Sequence, residues 1–146
     1  MKKNIFYYTK NAKLKYEGQY KNNSYHGYGD YFDINGYIIY EGFFLEGKYS
    51  GQGKIYKKGK ILYEGEFKNN MYDGEGTLYY DNSNIKYEGY FSKNKYEGSG
   101  VEYYSDGSIK YIGYFKDNNY HGNGRFFKNN ILLYNGTFKY GNYIIE

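Results

Sequence analysis

The chain has 146 residues and a mass of 17.4 kDa, which is room for one ordinary domain. A quarter of it is aromatic, with 26 Tyr and 10 Phe, and it has no Trp, Cys or Pro. That composition excludes disulfide and thiol chemistry and argues against disorder, because disordered chains are poor in aromatics. The net charge of +4, from 20 basic and 16 acidic residues, permits attraction to nucleic acid or an anionic membrane without arguing for either. No stretch approaches the roughly 18 to 20 apolar residues of a membrane helix. The basic N-terminus, MKKNIFYYTKNAKLK, carries no apolar run of signal-peptide length, and the lack of Cys fits the expected intracellular, cytoplasmic location, with association to the cytoskeleton or a membrane left open.

Residues 1–15 read as the trailing half of a repeat, an N-terminal cap strand, since YYTKNAKLK before Tyr16 parallels YYSDGSIK before Tyr111. The rest, 16–146, is a repeat array. It runs YEGQYKNNSYHGYG from Tyr16, YEGFFLEGKYSGQG from Tyr40, YEGEFKNNMYDGEG from Tyr63, YEGYFSKNKYEGSG from Tyr87 and YIGYFKDNNYHGNG from Tyr111. A truncated copy, YNGTFKYGNY, starts at Tyr134. The starts are 24, 23, 24, 24 and 23 residues apart. A fixed period of this size marks a stacked array in which no unit buries its apolar face alone.

Each unit alternates ring, polar, Gly, polar, ring, which is the two-residue period of a strand. Asn- and Gly-rich segments such as KNNS, LEGK and KDNN then reverse the chain, because Asn and Gly tolerate positive φ. A return strand follows, and a second turn (DING, KKGK, DNSN, SDGS or KNNI) leads to the next unit. The one-residue variation in period falls in that second turn, where it flips no side chain to the wrong face. The fold class expected is all-β: an elongated, single-layer antiparallel meander of about six stacked hairpins.

Alternation puts the recurring rings on one face, and the recurring glycines give them space. The structural positions are Tyr16, Gly18, Tyr25 and Gly27; Tyr40, Gly42, Tyr49 and Gly51; and Tyr63, Gly65, Tyr72 and Gly74. They continue as Tyr87, Gly89, Tyr96 and Gly98, then Tyr111, Gly113, Tyr120 and Gly122. A tyrosine ring can lie flat over a neighbouring strand only where that strand lacks a Cβ, and the ring shields the glycine backbone in return. A further series, Phe32, Tyr56, Tyr79, Tyr103 and Phe127, falls at the opposite parity. Either a bulge at the second glycine shifts the phase, or both faces carry rings.

The pattern Y-E-G-x-[YF]-x-x-x-x-Y-x-G-x-G resembles the MORN repeat, the membrane occupation and recognition nexus family, from about Tyr16 to Tyr143. Ile112 and Asn135 depart from it where most copies have Glu, and Ile144 and Ile145 replace the last Gly-x-Gly. The resemblance implies a twisted, groove-like single-layer sheet. It also implies a scaffold that organises cytoskeletal, flagellar or membrane-junction structures, with phospholipid binding as the alternative role. Some family members carry an enzyme domain beside the array, and none fits in what remains of this chain.

No catalytic, metal or cofactor site is expected. His26 and His121 share one repeat slot and lie far apart in the array, whereas a metal needs three or four converging ligands. Glu17, Glu41, Glu64 and Glu88 are expected to form a ladder beside Lys or Tyr hydroxyls, not a catalytic pair. Nucleic-acid stacking is not expected, since the rings are taken up by the glycines. Lys21, Lys68, Lys93, Lys95 and Lys116 share a turn edge that suits an anionic lipid surface. Open strands and exposed rings invite association with other proteins or a second copy. The C-terminal NYIIE either caps the array or pairs with a partner copy, with Tyr143, Ile144 and Ile145 as the dimer contact.

Overall fold

The computed structural model describes residues 3–145, and within them the chain is all strand and turn. It divides into two compact units, at 1–71 and 72–146. The first contains β1 (Asn4–Tyr7), β2 (Leu14–Lys21), β3 (Ser24–Phe32), β4 (Ile38–Leu45), β5 (Lys48–Lys57) and β6 (Lys60–Lys68). Each strand pairs antiparallel with the next. The second is formed by β7 (Met71–Tyr79), β8 (Ile85–Ser92), β9 (Lys95–Tyr103), β10 (Ile109–Lys116), β11 (Asn119–Lys128), β12 (Ile131–Lys139) and β13 (Asn142–Tyr143), paired the same way. The antiparallel meander of hairpins expected from the repeat is therefore the architecture of each unit.

The tight turns follow from residue chemistry. Asn22 and Asn23 have φ of 49° and 61°, Asn69 and Asn70 52° and 67°, and Lys93 and Asn94 48° and 67°. Two successive residues at positive φ match the right-handed twist of the flanking strands, and Asn accepts that conformation at low cost. The two 23-residue repeats use such two-residue turns again at the second reversal, with Lys58 and Gly59 at 52° and 76° and Asn129 and Asn130 at 52° and 60°. In the longer repeats an Asp or Asn side chain closes the second turn. Asp33 Oδ1, for example, accepts from the backbone N–H of Asn35 (2.8 Å) and Tyr37 (3.0 Å).

The core is a row of tyrosines over a row of glycines. In the first unit Gly18, Gly29, Gly42, Gly53 and Gly65 face one another in register across five strands. Gly76, Gly89, Gly100, Gly113, Gly124 and Gly136 do so in the second. Over these rows lie Tyr16, Tyr40, Tyr63, Tyr87 and Tyr111, all fully buried. Each hydroxyl donates to the backbone carbonyl three residues on: Gln19 (2.6 Å), Phe43 (2.8 Å), Glu66 (3.0 Å), Tyr90 (2.9 Å) and Tyr114 (3.1 Å). A Cβ on Gly42 would lie 2.5 Å from the Gly53 Cα, and one on Gly53 would enter the Tyr40 ring.

Above this layer the rings interlock. Tyr40 stacks on Tyr49 with centroids 3.7 Å apart and planes 6° apart, and Tyr87 stacks on Tyr96 at 3.8 Å and 4°. Within each unit the phenylalanine of the next repeat wedges edge-on against the preceding stack, as Phe67 does on Tyr40 (5.3 Å, 87°) and Phe115 on Tyr87 (5.1 Å, 90°). Such pairs contribute roughly 0.5–1.5 kcal/mol beyond area burial. Each of these wedges joins one repeat to its neighbour within its unit.

The turns add a second tie that the turn propensities do not reveal. The side chain of Asn70 accepts from the Tyr49 N–H, and those of Asn94 and Asn118 from Tyr72 and Tyr96, each at 2.8 Å. The backbone N–H groups of the same asparagines donate back to the carbonyls of Tyr49, Tyr72 and Tyr96, at 3.1, 3.0 and 3.1 Å. The second turn residue thus clamps the first residues of the preceding return strand from both sides.

The ambiguity in the second ring series resolves toward rings on both faces. The return strands do bulge, but at the first glycine of each pair: Gly27, Gly51, Gly98 and Gly122 have φ between 60° and 68°. Tyr56 Oη donates to Glu41 Oε2 (2.8 Å) and Tyr103 Oη to Glu88, on the face opposite Tyr40 and Tyr87.

Candidate functional site

The leading tyrosines Tyr16, Tyr40, Tyr63, Tyr87 and Tyr111 and the glycines beneath them are spent on architecture. What remains for recognition lies at their margins, and in the first unit the margins form a concavity of 330 Å³. Its lining is Lys15, Tyr25, Tyr31, Phe44, Gly47, Tyr49 and Asn70. Tyr25 is positioned by stacking on Tyr16 (3.9 Å, 16°), and Phe44 stands edge-on between Tyr25 (5.7 Å) and Tyr49 (5.5 Å). The Lys15 ammonium lies 5.6 Å from the centre of the Tyr8 ring. Burial pushes the Tyr49 phenol up to about 12 and raises Tyr25 as well, so both stay protonated hydrogen-bond donors near neutral pH.

The same constellation recurs 71 residues later, the distance from Tyr16 to Tyr87. Lys86, Tyr96, Phe115, Asn118, Tyr120 and Gly141 replace Lys15, Tyr25, Phe44, Gly47, Tyr49 and Asn70. The ring geometry is kept, with Tyr96 to Phe115 at 5.7 Å and Lys86 5.7 Å from the Tyr80 ring centre. One slot changes sign: Glu102 stands where the other copies have Tyr31, Ile55, Leu78 and Phe126. Its carboxylate accepts from Lys110 Nζ (3.2 Å) and from the Tyr120 hydroxyl. Burial and that carboxylate push the Tyr120 phenol up strongly.

On the opposite face of the first unit Glu17, Asp30, Glu41, Lys54 and Glu64 face one another in register. Glu17 pairs with Lys3 (3.3 Å) and Glu64 with Lys54 (3.9 Å). Glu41 accepts from Tyr28 (2.7 Å) and Tyr56 (2.8 Å), which lower its pKa. Among the described residues Asp30 Oδ1 is buried without a hydrogen-bond partner; desolvation, then Glu41 and Glu17, raise that carboxyl. The carboxylates therefore sit beside Lys and Tyr groups. Among the described residues no group of three or more His, Cys, Asp or Glu could hold a metal ion.

The lysines at the hairpin turns divide between the units, Lys21 and Lys68 in the first and Lys93, Lys95 and Lys116 in the second. Lys95 is bound to Asp117 at 2.7 Å. At the C-terminal end Tyr143 pairs with Phe138 on β12, and the Ile144 carbonyl accepts from the Tyr134 hydroxyl (2.6 Å). Tyr143 is 57% exposed and Ile145 81%.

Stacked two-strand repeats, held by tyrosines seated on glycines, define a repeat protein. The family model for the MORN repeat matches five times, at residues 16–36, 40–60, 63–85, 87–109 and 111–130, and the chain belongs to that family. No curated protein matches it.

Proposed function

We propose that the chain is a non-enzymatic scaffold that brings proteins together at a membrane-associated or cytoskeletal structure inside the cell. The observation that carries this reading is the aromatic concavity of the first unit, which leaves Tyr25, Tyr31 and Tyr49 half-exposed to a partner around the buried Phe44. Rigid aromatic anchors lose little entropy on binding, and aromatics dominate protein interfaces. In this reading residues 1–15 are a cap half-repeat and 16–146 the array.

A second copy is one such partner. The apolar end formed by Ile131, Leu132, Leu133, Tyr143, Ile144 and Ile145 is 41–81% exposed, and β13 offers a short open edge. Light scattering over a concentration series tests this directly. A mass of twice 17.4 kDa, lost on changing Tyr143 and Ile145 to Lys, supports self-association through this end. A monomeric mass at all concentrations removes it.

The phospholipid-adaptor alternative is less well supported, because Lys95, one of its five lysines, is already neutralised by Asp117. Sedimentation with phosphatidylserine vesicles at two salt concentrations separates it from the protein-binding reading.

A further inference from the structure

We infer that the first-unit concavity is a docking site for an acidic segment of a partner protein, one that presents a carboxylate beside an aromatic or aliphatic side chain. The inference rests on the protein-binding reading above and names the chemistry of the partner.

Charge complementarity carries the argument. The cavity lining contains a cation and no carboxylate. Lys15 makes no ion pair among the described residues, and its ammonium is held near the Tyr8 ring instead of by an acid. The hydroxyls of Tyr25 and Tyr49, both on the lining, make no side-chain hydrogen bond among the described residues, and each has a proton to donate as well as lone pairs to accept. The Asn70 carbonyl oxygen is occupied by the Tyr49 N–H, which leaves its amide nitrogen as a further donor. The ammonium and the donor protons at this rim therefore have no matched acceptors, and they are set on an aromatic floor. A carboxylate supplies acceptors and charge together, and its hydrogen bonds with a cation are stronger than neutral ones. Its apolar neighbour would cover the rings.

The second unit supplies an internal contrast. At the slot of Tyr31 it holds Glu102, and at the slot of Ile39 it holds Lys110, which satisfies that glutamate. The equivalent surface thus carries its own carboxylate, and the Lys110 ammonium and Tyr120 hydroxyl that an incoming carboxylate would need are already bound to it. The two units share one scaffold and differ in whether these donors are free, so only the first is expected to take an acidic segment.

The test uses the full chain, the peptide acetyl-Ser-Glu-Phe-Glu-Phe-Ser-amide and its twin with Gln for Glu, followed by amide chemical shifts. The acidic peptide is expected to shift Tyr25, Gly47 and Asn70, with the twin about tenfold weaker, as expected for loss of a charged hydrogen bond. Lys15→Gln should weaken the acidic peptide by a similar factor. Tyr31→Glu should abolish binding, and Tyr31→Leu, which borrows the residue of the Leu78 slot, should keep it and so control for folding. Equal binding of the twin overturns the inference and leaves the protein-binding reading standing. Shifts centred on Tyr96 and Tyr120 overturn it too, as does failure of both peptides. If both peptides fail and phosphatidylserine vesicles move the first-unit signals, the protein-binding reading falls as well.

Discussion

Asn94 performs three tasks that substitution can separate. It holds φ at 67°, its side chain accepts from the Tyr72 N–H at 2.8 Å, and its own N–H donates to the Tyr72 carbonyl at 3.0 Å. Asn94→Gly keeps the left-handed backbone and the donated bond but loses the side-chain acceptor. A net hydrogen bond is worth about 0.5–1.5 kcal/mol, so a loss of about 1 kcal/mol is expected. Asn94→Ala loses the same bond and also the short polar side chain that makes the left-handed region tolerable for Asn, which adds about 1–2 kcal/mol. The expected total is roughly 2–3 kcal/mol. Asn94→Asp retains an acceptor and should stay within about 0.5 kcal/mol of the parent. Urea unfolding gives the order, and hydrogen exchange at the Tyr72 amide places the loss, because repeat arrays open locally. Equal stability of the Gly variant and the parent would refute the clamp. Equal loss in Gly and Ala would refute the backbone contribution.

Three further outcomes are expected. The phenols of Tyr16, Tyr49 and Tyr111 are raised by burial to about 12 from an ordinary value near 10. Their stabilising effect is complete below about pH 10 and is lost as pH rises through about 12, so phenolate absorbance and unfolding should rise together on alkaline titration. Asp30 is a carboxyl raised by burial between Glu41 and Glu17, so its charge opposes folding above its ordinary value. Asp30→Asn should therefore stabilise the protein at pH 7, with the gain vanishing as pH falls toward about 4; a pH-independent gain in thermal melts would contradict this. Gly100→Ala drives a Cβ into the Tyr87 ring and should cost at least about 1–3 kcal/mol. Tyr87→Leu should recover part of that loss in a double-mutant cycle, and strict additivity would show that the ring is not what the Cβ meets.

Much of the fold was legible because the repeat states each requirement several times over. Gly42 alone could be a bulge or a turn, but a glycine two residues after every leading tyrosine has one economical reading, a seat for the ring. The one-residue variation in period likewise pointed to the second turn, where Lys58–Gly59 and Asn129–Asn130 now form two-residue reversals. Other features depend on distances that alternation does not encode. Asn94 announces a turn, but its reach to Tyr72 follows from the way consecutive hairpins stack. The phase of Tyr56 was ambiguous because glycines permit bulges, and only its bond to Glu41 places it on the second face. The concavity was missed because it arises from the tilt of Phe44 against Tyr25 and Tyr49. One signal was available: aligning the repeats shows Glu102 alone as a charge in a slot otherwise occupied by Tyr, Ile, Leu and Phe.

That slot has a wider consequence. The buried tyrosines and their glycines are nearly invariant from copy to copy, while Tyr31, Ile55, Leu78, Glu102 and Phe126 differ without disturbing them. Framework and address are thus written in separate letters. A whole repeat can be duplicated while its ring seat and clamp are preserved, and one substitution can then re-letter the new copy. Arrays built this way can acquire new partners by small edits, each confined to one position of one hairpin.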